Sequence, residues 1–82
     1  MEKFQRDIQV YGNHFWEFYN SQTDKAQSKI DFSIGLVKTL KVIPTKYFKS
    51  LTAYDGLWEI KARSGSNIFR IFCCFDEGNL VI

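Results

Sequence analysis

The 82-residue sequence contains one histidine, one proline and two cysteines, and these scarcities exclude a good deal. His14 is the sole histidine and Cys73 adjoins Cys74, so the spacing fits no zinc site. A Ser-His-Asp arrangement cannot be argued from His14 alone, which lies at an expected helix start and reads as a surface or capping side chain. Neighbouring residues of a strand point to opposite faces, so Cys73 and Cys74 cannot tie distant segments together. A reduced, cytoplasmic compartment is therefore expected, with cysteine as a small core filler. Gly65 lacks the companions of a phosphate-cradling loop. No apolar run approaches the ~20 residues of a membrane span. The opening Met1-Glu2-Lys3-Phe4-Gln5-Arg6 is charged and leads into no apolar signal core. Charge of one sign is scarce too. Eleven basic against nine acidic residues leave +2, too little for a broadly polycationic surface but enough for a local patch.

What is present is globular. Hydrophobic residues make up 45% and aromatics 17% of the chain, and large rings supply much burial per residue. That matters at this length, which allows one domain, residues 1–82, near the lower limit for folding alone. No repeat, linker or low-complexity segment divides it.

Phe4 to Val10 alternates, with Phe4, Ile8 and Val10 on one side, and predicts a first strand. Gly12-Asn13 breaks it, and Asn13 is the expected N-cap of a short helix bearing Phe15, Phe18 and Tyr19 on one face. A second helix opens at Asp24, its expected cap, with Gln27 completing a capping box. Ile30, Ile34, Val37 and Leu40 form its apolar face, and Pro44 ends it. Gly35 costs about 1 kcal/mol there, which close approach of the neighbouring helix would offset. Thr45 to Gly56 is expected as a loop.

The last third is β. Leu57 to Arg63 places Trp58, Ile60 and Ala62 on one face and Glu59, Lys61 and Arg63 on the other. Ser64-Gly65-Ser66-Asn67 is hairpin material. Ile68 to Phe75 follows, with Arg70 alone among apolar neighbours. After Glu77-Gly78-Asn79, Leu80-Val81-Ile82 begins a third strand of the meander. The order is β-α-α-β-β-β, an α+β fold.

Two basic groups stand out. Lys61, Arg63 and Arg70 converge on one sheet surface if the strand register cooperates, and cations that close repel unless an anion lies between them. Phosphate is the natural anion; ordinary solvent-facing charges are the plain alternative. In the loop, Lys46, Lys49 and Tyr54 are candidates for RNA binding, since cations pair with phosphates and rings stack on bases. The plain alternative is that the loop aromatics pack on the core.

The segment Leu57-Trp58-Glu59-Ile60-Lys61-Ala62-Arg63, a short Gly-containing turn, and Ile68-Phe69-Arg70-Ile71-Phe72 together resemble the RelE/ParE superfamily of bacterial toxins. The likeness is greatest to its phage-derived, HigB-like branch. It covers nearly the whole chain in topology and Asp55 to Phe75 in motif. It implies a RelE-like helical hairpin packed on a curved antiparallel sheet. It also implies the toxin of a type II toxin–antitoxin pair, acting as a ribosome-dependent mRNA endoribonuclease without metal or other cofactor. In that chemistry the ribose 2′-hydroxyl attacks the scissile phosphate. Arg70 and Arg63 would take its charge, with Lys61 orienting it or serving as base. Glu59 stands where RelE itself has lysine, so a RelE-type lysine base at that position is not carried over.

The implied partners are a cognate antitoxin and mRNA on the ribosome, with no membrane. The alternative is a non-catalytic interaction module: a gyrase-directed, ParE-like toxin, or an inactive truncated remnant that binds an antitoxin. A third is a sequence-tolerant RNA binder using the Lys46 to Tyr54 loop. Relatives continue past the third meander strand into a Lys-rich segment and a last helix. The resemblance therefore implies that a C-terminal tail is missing after Ile82, leaving an exposed apolar strand for homo-oligomerisation.

Overall fold

A computed structural model describes residues 5–82. Seven elements follow one another: β1 (Ile8–Gln9), α1 (His14–Asn20), α2 (Asp24–Thr39), β2 (Phe48–Ser50), β3 (Leu57–Ser64), β4 (Asn67–Asp76) and β5 (Asn79–Val81). The fold is α+β, with two helices on one five-stranded sheet of order β1-β5-β4-β3-β2. The sheet is mixed rather than wholly antiparallel, because β1 lies parallel to β5. The expected first strand shrinks to two residues. Its first position, Phe4, lies outside the described residues.

Local chemistry sets the elements. β3 and β4 run from Leu57↔Cys74 to Ser64↔Asn67, closed by a two-residue loop whose first residue, Gly65, has φ 60°. A side chain there would be strained, which is why the loop takes glycine. The β4–β5 turn places both Glu77 and Gly78 at positive φ, the pattern that matches strand twist. In α2 the cap is Thr23, not Asp24: its Oγ1 accepts from the Ala26 N–H at 3.2 Å. Gln27 makes no capping box with Asp24; its side chain donates to the Tyr19 carbonyl at 2.8 Å and ties α2 to α1. The Tyr19 hydroxyl adds a second tie, donating to Asp31 Oδ2 at 2.9 Å. Asn13 does precede α1, but its side chain makes no capping bond.

Helix α2 ends at Thr39, well before Pro44, where Leu40 turns extended at ψ 128°. Leu40 thus leaves the apolar face and is exposed. The Arg6 guanidinium takes over that end, donating to the carbonyls of Val37 and Leu40. This is favourable charge placement at a helix C-terminus. No neighbouring helix approaches Gly35: a Cβ there would meet nothing within 4 Å.

The core lies between α2 and one face of the sheet. Ile30 and Val37 meet Phe48, Ile60, Ala62, Ile71, Cys73 and Leu80. Each fully buried aliphatic side chain contributes about 1.5–3 kcal/mol. The segment expected as a loop contains β2, because Phe48 faces Ile60 and enters this core, stacking on Trp58 at 4.7 Å. The last strand is not an exposed edge. β5 runs between β1 and β4, and Leu80 is fully buried. Among the described residues, no helix is long and apolar enough to cross a membrane.

Candidate functional site

Directly opposed residues of an antiparallel pair share a face. The register therefore places Leu57, Glu59, Lys61 and Arg63 of β3 with Ile68, Arg70, Phe72 and Cys74 of β4 on the face turned away from α2. Lys49 of β2, opposite Glu59, joins them. Four of the expected cations thus share one face. Lys61 and Arg70 are direct partners on one rung, and Arg63 lies two rungs nearer the hairpin, opposite Ile68.

Glu59 was passed over as a site residue, and the structure puts it at the centre of this face. Its side chain is 6% exposed, although it points away from the core. The Arg70 Nε lies 3.1 Å from its Oε1. No N–H is well aimed at that oxygen, which is enclosed without a hydrogen bond. The contact is an ion pair held by charge rather than by hydrogen-bond geometry. The Arg70 side chain remains 52% exposed. Burial of a carboxylate is costly unless a cation accompanies it, so Glu59 and Arg70 fix each other in place. Alternation predicts which face Glu59 takes; it carries no signal that neighbouring side chains will close over it.

The expected residues do not all converge. Arg70 borders a cavity of about 410 Å³ with Tyr11, His14, Phe15, Phe18 and Phe72. Arg63 and Lys46 line a different groove, with Lys29 and Tyr47. Lys49 lines a third, beside Lys41, Phe48 and Trp58. Tyr54 stands 65% exposed in the connection between β2 and β3. In the same segment Lys46 Nζ sits 5.4 Å from the Tyr47 ring centre, and that ring packs edge-on against Phe32. The loop aromatics therefore divide: Phe48 and Tyr47 pack, and Tyr54 does not. Phe72 shares the face of Arg70 by strand alternation, whereas His14 joins Arg70 only through the fold, and sequence spacing gives no hint of it.

The thiols follow alternation. Cys73 is buried, with Sγ 3.7 Å from the Trp58 carbonyl, and Cys74 is exposed. Burial, with the neighbouring Cys74 adding to it, pushes the Cys73 thiol up to about 12. It stays protonated and unreactive across ordinary pH.

Residues 17–82 match the family model described as phage derived protein Gp49-like (DUF891). The match runs from Glu17, within α1, through β5 and so includes the whole cationic face. No curated protein and no solved structure matches the chain.

Proposed function

We propose, for a chain that belongs to the phage-derived Gp49-like family of RelE-like toxins, the role of a HigB-like mRNA endoribonuclease in a type II toxin–antitoxin pair. The observation that carries this reading is the Lys61–Arg70 rung on the open sheet face. Glu59 balances one of these two opposed cations, and a phosphodiester lying between Lys61 and Arg70 would balance the other. In the reaction the ribose 2′-oxygen bonds to phosphorus as its proton leaves. The bond to the 5′-oxygen then breaks, and that oxygen takes up a proton. Charge on the phosphoryl oxygens rises toward the transition state, and fixed cations stabilise it more than the ground state. Arg70, pinned by Glu59, and Lys61 supply that field, and Arg63 extends it two rungs toward the hairpin. Lys46, Lys49 and Tyr54 flank the message. The substrate is mRNA on the ribosome, the place of action is the cytoplasm, and a cognate antitoxin silences the chain.

The test is to induce the chain in a bacterial host and map the 5′ ends of translated messages. New ends inside coding regions, absent with Arg70→Ala, are the expected result. Growth arrest with intact messages would sink the nuclease reading.

One observation favours the second reading, an interaction module that binds gyrase or an antitoxin without cutting RNA. Arg63 and Arg70 border separate grooves. That reading gains if induction leaves gyrase-linked DNA breaks in place of cut messages.

A further inference from the structure

Trp58 lies opposite Ser50 of β2 and Cys73 of β4, and by alternation Phe48 and Phe75 share its face of the sheet. Phe48 and Trp58 stack at 4.7 Å, and Phe75 meets them edge-on at 6.3 and 5.8 Å. Burial grades across the three. Phe48 is buried in the core, Trp58 is half-buried and Phe75 is exposed. Helix α2 packs on this face of the sheet but ends at Thr39. The rings form one wall of a cavity of about 620 Å³, within the ~300–1,000 Å³ range of small-ligand sites.

The charge around that wall has one sign. Arg6, Lys41 and Lys49 border the cavity, and among the described residues no carboxylate does. They come from three segments: ahead of β1, after α2 and within β2. The Arg6 guanidinium donates to the carbonyls of Val37, Leu40 and Lys41, which offsets the negative end of α2. Lys41 and Lys49 are exposed, and among the described residues no carboxylate pairs with either. The cavity therefore offers a π surface beside cations that lack a counter-ion. A nucleotide answers both features in one unit, since a base stacks on rings and its phosphate pairs with lysines. A neutral aromatic compound would leave the lysines uncompensated, and a bare anion would leave the rings uncovered. An acidic peptide bearing a ring is the nearest rival. Its ring and carboxylate sit on separate residues, each ordered at its own entropic cost.

We infer that this cavity binds a nucleotide, with its base against the Trp58–Phe75 wall and its phosphate between Lys41 and Lys49. The site is separate from the Lys61–Arg70 rung, which lies on the opposite face of the sheet. Lys49 is the residue they share: it is opposite Glu59 in register and also borders this cavity. A free mononucleotide and one nucleotide of a bound RNA present the same chemistry to it. The inference does not need the nuclease reading.

The full chain carrying Trp16→Phe keeps Trp58 as its one tryptophan, and the fluorescence of that ring reports a stacked base. Adenosine monophosphate is expected to quench the emission saturably. Lys41→Ala should weaken its binding about tenfold, and Lys41→Arg should keep it, because arginine also pairs with phosphate. Lys25→Ala, a change on α2 away from the cavity, should leave the affinity as it was. Adenosine and inorganic phosphate, each holding half of the recognised unit, should bind about tenfold more weakly or worse. Absence of saturable quenching overturns the inference, as does unchanged affinity in Lys41→Ala. Adenosine binding as tightly as its monophosphate overturns it too. A capped glutamate–phenylalanine dipeptide that binds more tightly than the nucleotide would give the cavity to a protein partner instead. A four-nucleotide RNA, 2′-O-methylated so that 2′-hydroxyl attack cannot occur, separates the two sources. Affinity about tenfold or more above that of the monophosphate assigns the site to RNA, and lower affinity assigns it to a free nucleotide. The two readings fail separately. A chain that binds the nucleotide but never cuts message refutes the nuclease and leaves this site standing. A chain that cuts message but shows no quenching refutes the site alone.

Discussion

Arg70 Nε lies 3.1 Å from Glu59 Oε1, between neighbouring strands and on the face of the sheet turned away from α2. The pair does two things at once. It neutralises a carboxylate that its neighbours have enclosed, and it fixes the direction of a half-exposed guanidinium. Both consequences can be measured apart.

Replacing Arg70 by alanine leaves Glu59 enclosed without its counter-ion. The expected cost is about 1–2 kcal/mol, below the figure for a fully buried pair because Arg70 is half exposed to screening solvent. Adding Glu59→Gln should restore most of the lost stability by removing the stranded charge. RNA cleavage should fall by about a hundredfold or more in both variants, since neither retains the cation. Chemical denaturation beside a cleavage assay separates the effects. Recovery of activity in the double variant would show that Arg70 acts only on stability.

Position on the rungs ranks the other cations. Lys61 faces Arg70 directly, and Arg63 lies beyond it toward the hairpin and borders another groove. Lys61→Ala should therefore reduce cleavage more than Arg63→Ala, whose effect is expected at about tenfold or less. Single-turnover rates on one RNA settle the order. A larger loss with Arg63→Ala would move the phosphate to the groove shared with Lys46.

Helix α2 carries a correctable defect. Gly35 sits mid-helix with open space where its Cβ would be, so Gly35→Ala should stabilise the chain by about 0.5–1 kcal/mol. Thr23→Ala should cost about 1 kcal/mol through loss of the cap, and Asp24→Ala clearly less. Urea midpoints measure all three. Destabilisation by Gly35→Ala would mean that a side chain is crowded there after all.

The thiols predict a pH effect of definite sign. The Cys73 thiol ionises near 9.0 in the unfolded chain and at about 12 in the folded one. Below pH 9 both states hold the proton and stability is unaffected by this group. Between those values the unfolded chain loses the proton first, so stability falls as pH rises toward 12. Cys73→Ala should flatten that part of the pH–stability curve while lowering stability at neutral pH through the cavity it leaves. At pH 8 a thiol reagent should label the native chain once, at exposed Cys74, and twice after denaturation. Rapid double labelling of the native chain would contradict the burial of Cys73.

Alternation in Leu57–Arg63, with the lone Arg70 in the following apolar run, was enough to assign both faces of the hairpin, because a strand has a period of two and one face must be buried. The helices, the Gly65 turn and the opposite fates of Cys73 and Cys74 followed from equally local rules. Nothing local marked β2, since Phe48–Ser50 is a strand only because Phe48 finds Ile60 across a neighbouring segment. The same limit hid the parallel β1–β5 pair, the burial of Leu80 and the choice of Thr23 over Asp24 as cap. At the site, the sequence by itself supplied the cations and their common face. Tertiary structure alone decided that Lys61 meets Arg70, that Arg63 belongs to another groove, and that Glu59 lies enclosed beneath a guanidinium. Pattern reports the direction of each side chain along its own strand. Distance, enclosure and the partner of a charge depend on where separate segments come to rest, and chain order does not record that.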